Sequence, residues 1–99
     1  MADFTEQEKL AVWKKGKVVP GYDSSLYRKD DCGAWMRFKE YGTRTSIYSW
    51  EIDHITPESK GGSNNLYNLR PLQWENNVAK SNGRLSCAVT ANGNENVRN

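Results

Sequence analysis

The chain has 99 residues, with 14 Lys and Arg against 12 Asp and Glu and a formal net charge of +2. At this length one folding unit spanning 1–99 is expected, with no room for a linker, and a mean hydropathy of -0.88 keeps its core modest. A pI near 8.6 is too mild to argue for nucleic acid by itself, no apolar run is long enough to cross a bilayer, and MADFTEQEK lacks the features of a secretory signal, so a soluble cytoplasmic protein is expected.

The first predicted element is a short helix over residues 5–15. Thr5 and Glu8 have capping-box spacing, Leu10 and Trp13 share a face, and Gly16 suits the C-terminal end. Pro20, Gly21, Asp23 and the following serines make 17–26 an irregular connection. Over 34–41, Met36 and Phe38 alternate with Arg37 and Lys39, which predicts a strand with one buried face. Tyr41-Gly42-Thr43 turns the chain. Residues 46–55 return as a second strand, with Trp50, Ile52 and His54 on one side and Glu51 and Asp53 on the other, so a hairpin leads into Asp53-His54.

Pro57, Gly61-Gly62 and Ser63-Asn64-Asn65 make 56–67 an ordered surface loop. A short strand over 68–73 and a helix over 74–82 follow, with Gly83 just past the helix end. This places the core at about 22–84 and leaves 85–99, polar and rich in Asn, as a disordered tail. Cys32 and Cys87 lack the close Cys or His neighbours of a structural zinc site, so no structural zinc is expected, and the absence of a secretory signal points to a reducing compartment. The four Trp, five Tyr and two Phe are read first as core.

His54 is the only histidine, and it stands between an aspartate and a turn-rich loop rather than in an apolar run. Asn68, Asn77 and Lys80 lie where a strand, loop, strand and helix would bring them back to it. Hydrolysis of a phosphodiester needs a base for water, a cation for the charge of the transition state, and help for the leaving oxygen. An imidazole can take a proton near neutral pH. Asp53 and Asn77 offer hard oxygens, which favour Mg2+ or Mn2+. Neighbours on a regular strand point to opposite faces, so the strand must end or twist at His54 if Asp53 and His54 are to share a pocket. Pro57 is consistent with such an ending.

The stretch WEIDHITPESKGGSNNLYNLRPLQWENNVAKSN, residues 50–82, resembles the HNH endonuclease signature: DH, a loop with Pro and Gly-Gly, NL, then His or Asn before Lys. The preceding YRKDDCGAWMRF is similar to the lead-in of many small members. The resemblance implies an α+β fold with a ββα-metal (His-Me) finger, a preceding β-hairpin and the N-terminal helix. It also implies His54 as general base, Asp53 and Asn77 as metal ligands, and Asn68 as the residue that holds the His-bearing loop through its amide. Lys80, one helical turn past Asn77, would face the same groove and meet a phosphate, with Arg70 and Arg84 as further phosphate contacts. DNA is the implied substrate, with RNA as an alternative. The protein would act as a monomer or weak homodimer, without a membrane partner, and such small proteins are often bacterial or phage-borne.

Two features depart from the commonest pattern. Asn77 replaces a histidine, giving an H-N-N set, and Gln73 and Asn76 stand around the helix start where many members carry zinc-binding cysteines. Asn77 keeps alive a second reading, a nucleic-acid-binding module or accessory subunit with the same fold and little catalysis. A third is an unrelated interaction domain in which Asp53-His54 is only a structural pair. Glu51 is read as a solvated strand carboxylate and left out of the ligand set.

Overall fold

Thr5 opens the first helix, α1 (Glu6–Trp13). Its hydroxyl accepts from Glu8 N at 3.1 Å while its own N–H donates to Glu8 Oε1 at 2.8 Å, so both orphan donors are satisfied. The computed structural model describes residues 3–81 and 83–99; the Met1 and Ala2 of the sequence reading lie outside them. The helix ends at a Lys14 cap, short of the expected Gly16. It buries Val12 and Trp13 and leaves Leu10 exposed, so the expected Leu10-Trp13 face is not the one that packs.

The hairpin before the Asp53 strand is built from different residues than expected. Strand β1 (Tyr27–Lys29) pairs antiparallel with β2 (Trp35–Arg37), Arg28 facing Met36. Its turn is made by Asp30, whose Oδ1 accepts from Cys32 N and Ala34 N at 2.9 Å each, and by Gly33 at φ 79°. The strand predicted over 34–41 stops early because Phe38–Glu40 winds into a single 3-10 turn. That turn places the Phe38 ring 5.4 Å from Trp13 and 6.1 Å from Trp50, where it shields the core instead of continuing the alternation.

The strand predicted over 46–55 likewise shortens to β3 (Trp50–His54), which pairs antiparallel with β4 (Leu69–Gln73) from Trp50 opposite Gln73 to His54 opposite Leu69. The helix α2 (Trp74–Ala79) starts at once, capped by Gln73, whose side-chain oxygen accepts from Glu75 N and Asn76 N. It ends before the predicted Asn82, which lies outside the described residues. Val12, Trp13, Met36, Trp50, Ile52 and Leu69 form the core between α1 and these strands, with Phe4, Phe38 and Tyr41 packed against it. Three of the four tryptophans, Trp13, Trp35 and Trp50, are buried.

The expected disordered tail is a correction. Strand β5 (Val89–Asn92) pairs with β6 (Glu95–Arg98) across a two-residue Gly93-Asn94 loop, with Gly93 at φ 64°. A polar hairpin would fray alone. This one is held because Asn96 acts like a strand edge: Oδ1 accepts from Trp35 N at 2.6 Å, and Nδ2 donates to Trp35 O and Ile47 O. Cys32 and Cys87 form a disulfide that ties the β1-β2 turn to the approach to β5. No helix among the described residues is long and apolar enough to cross a membrane.

Candidate active site

Strand β3 ends at His54, and Ile55 N leaves the ladder with one last hydrogen bond to Asn68 O at 2.8 Å. At this end of β3 a cleft of about 430 Å3 opens, lined among others by Phe4, Asp53, His54, Glu58, Asn77 and Lys80. Adjacent strand residues share it because the strand stops there: Asp53 is buried and His54 half-buried.

Asn68 is buried at the point where the 56–67 loop returns. Its Oδ1 accepts from Thr56 N at 2.8 Å, and its Nδ2 donates to Thr56 O at 3.1 Å and Ser63 O at 2.8 Å. One amide thus bridges both ends of the loop that follows His54. Gly62 is obligatory in this closure, since a Cβ there would stand 1.7 Å from Thr56 O and 3.0 Å from Asn68 Nδ2. Gly62→Ala is expected to cost about 1–3 kcal/mol, the scale of overpacking. The cost should appear as a lower denaturation midpoint together with displaced Asn68 side-chain amide resonances; an unchanged midpoint would show that the loop can open without cost.

The loop so held reaches His54. Nε2 of its ring lies 2.6 Å from Asn64 Oδ1, an oxygen that can only accept, so Nε2 is the ring nitrogen engaged here and Nδ1 is left to face other partners. The ring of Phe4, from the segment before α1, lies 6.2 Å away and tilted at 41°. Neither contact was visible in the sequence. Asn64 sits in a run of turn formers that reads as loop chemistry, and Phe4 is 50 residues from His54.

Asp53 is held between two cations. Arg70, directly opposite on β4, donates Nε to Oδ2 at 2.8 Å, and Lys80 donates Nζ to Oδ1 at 2.7 Å. Lys80 also donates to His54 O, and at 3.5 Å to Ile55 O. Its side chain is only 7% exposed, and that of Arg70, which also pairs with Asp31 at 3.4 Å, is 16% exposed. Both candidate phosphate contacts are thus turned inward to carboxylates. Arg84 is exposed, in a bridge with Ser81 beyond α2.

Asn77 lines the cleft from α2 and donates Nδ2 to Glu51 Oε1 at 2.9 Å, leaving Oδ1 as its acceptor. Glu51 is not free in solvent as expected: Arg44 grips it through Nε and Nη2 at 2.6 and 2.9 Å. Among the described residues no three His, Cys, Asp or Glu side chains converge on one metal position. A cation here would therefore rest on Asp53 with amide and backbone oxygens. The oxygens of Asp53, His54 and Ile55 already surround an ammonium, so this position offers hard oxygen donors to a positive charge. On that chemistry the residues fit a small divalent cation.

Comparison with curated proteins and with solved structures gives no match. The family model described as HNH endonuclease matches residues 32–83, from the β1-β2 turn past the end of α2. That segment holds Asp53, His54, Asn64, Asn68, Arg70, Asn77 and Lys80 and is more than half of the sequence. The chain belongs to the HNH endonuclease family.

Proposed function

We propose that the protein is a metal-dependent endonuclease that hydrolyses phosphodiester bonds in DNA from a ββα-metal finger formed by β3, the 56–67 loop, β4 and α2. The observation that carries this reading is the meeting of His54, Asp53 and Asn77 on one cleft at the end of β3. Asp53 and Asn77 would hold Mg2+ or Mn2+. When bound, the ion supplies charge neutralisation at the scissile phosphate and lowers the cost of the departing oxyanion.

His54 does the proton work. With Nε2 engaged by Asn64, Nδ1 accepts the proton of the attacking water. Asn68 and Gly62 keep the loop closed so that Asn64 stays on the ring. Arg70 fixes the Asp53 carboxylate, and Arg84 contributes a phosphate contact outside the cleft.

A second reading is favoured by one feature: both oxygens of Asp53 are spoken for by Arg70 and Lys80, as in a binding module with little catalysis. Supercoiled plasmid incubated with the purified protein separates the two. Nicked product is expected with Mg2+ or Mn2+ and none in EDTA, with a structured RNA run in parallel as substrate. Cleavage undiminished by EDTA would overturn the metal-dependent reading, and a gel shift without nicking under any divalent ion would install the binding module.

A further inference from the structure

We infer that Lys80 is an internal counter-cation that a divalent ion must displace from Asp53, so that this lysine sets the affinity of the site for its metal. The inference rests on the proposed function above and adds a regulator of that same site.

The argument starts from the position of the ammonium. Lys80 lies just past α2, at the cap position, where its Nζ reaches back over the end of β3. It meets Asp53 Oδ1 at 2.7 Å, His54 O, and Ile55 O at 3.5 Å. A carboxylate and two carbonyls around one positive centre make a cation site in miniature, and Asp53 is the donor it shares with a metal. Sharing Oδ1 between the ammonium and a divalent ion is unfavourable, because the repulsion of like charges within a few ångströms is large where water is scarce. Arg70 on Oδ2 is a different case. It is anchored a second time on Asp31 and its planar fork is fixed by the β3-β4 register. The lysine is held by a flexible four-carbon stem with a compact head, so it is the group able to leave. On leaving, its charge is released into the cleft beside His54, where a phosphate would be met.

Mn2+ binding measured by calorimetry on the full chain tests this. Lys80→Met, which keeps the stem and removes the charge, is expected to bind Mn2+ roughly tenfold more tightly than the wild type, and Asp53→Asn to lose binding. Equal or weaker binding by a folded Lys80→Met, with binding still lost in Asp53→Asn, would overturn the exchange while leaving the metal reading intact. Absence of Mn2+ binding in the wild type and in Lys80→Met would overturn both. A measurement on the wild type needs no variant to fold: the 15N signal of the Lys80 ammonium should be protected without metal and should merge with solvent-exchanging lysines as Mg2+ is added. A Lys80 signal that stays protected while resonances of the Asp53 carboxyl shift with Mg2+ would also overturn the exchange.

Discussion

His54→Ala is expected to lower plasmid nicking by about 10²–10⁴-fold, the usual contribution of a positioned general base. Stability should change little, because the ring is only half-buried and packs against a single aromatic neighbour among the described residues, Phe4, at 6.2 Å. A melting temperature within about 3 °C of the wild type would show that the loss is chemical. The contact at 2.6 Å with Asn64 makes a graded second outcome possible. Asn64→Ala leaves the base in place but frees the choice of tautomer, so a loss of about 10–100-fold is expected, the scale seen when the partner orienting an imidazole is removed. Added imidazole should restore part of the activity to His54→Ala and none to Asn64→Ala. Nicking by His54→Ala within tenfold of wild type would remove His54 from the mechanism.

The sequence was legible where the structure is local. From Trp50 to Ala79 the chain runs strand, loop, strand and helix with short connections, so turn residues and spacing sufficed to bring Asp53, His54, Asn68 and Asn77 to neighbouring places. The required end of the strand at His54 followed from the alternation of strand side chains. The partners of those residues were not legible. Asp53 with Lys80, and His54 with Asn64, depend on how the side chains turn after the elements have docked, and spacing alone cannot distinguish a lysine facing phosphate from one facing a carboxylate. The β1-β2 hairpin was not legible because three-residue strands carry too little alternation, and the turn made by Asp30 and Gly33 shows only in the structure. The β5-β6 hairpin was hidden by composition. Asn94 follows Gly93 in a recognised hairpin loop pattern, yet the stabilising contacts of Asn96 and Cys87 lie 61 and 55 residues away in sequence, at Trp35 and Cys32.

Asp30→Ala is expected to destabilise the protein by about 3–5 kcal/mol, because it orphans a buried set of donors rather than removing one contact. Asp30 Oδ1 accepts from Cys32 N and Ala34 N, and Oδ2 from Gln73 N at 2.9 Å and Asn76 Nδ2 at 3.0 Å. Asn76 carries the connection on, donating to Val89 O and accepting from Val89 N. One carboxylate therefore joins the β1-β2 turn, the start of α2 and β5, at the helix positions where the family resemblance puts zinc cysteines. For a 99-residue chain such a loss should lower the melting temperature by roughly 15 °C or more. Asp30→Asn should rescue little, since its NH2 would face donors on one side of the group. Burial pushes the Asp30 carboxyl above its ordinary range, and the hydrogen bonds from Asn76, Gln73, Ala34 and Cys32 pull it partly back. With the folded value above the unfolded one, the stability contributed by Asp30 is complete below the unfolded value and declines as pH rises through the folded value. The gap between wild type and Asp30→Ala should therefore be widest in acid and narrow toward neutral pH. Thermal melts of both proteins across that range decide the sign: a gap that widens with rising pH would mean that the four donors outweigh burial and that this hub is held by charge.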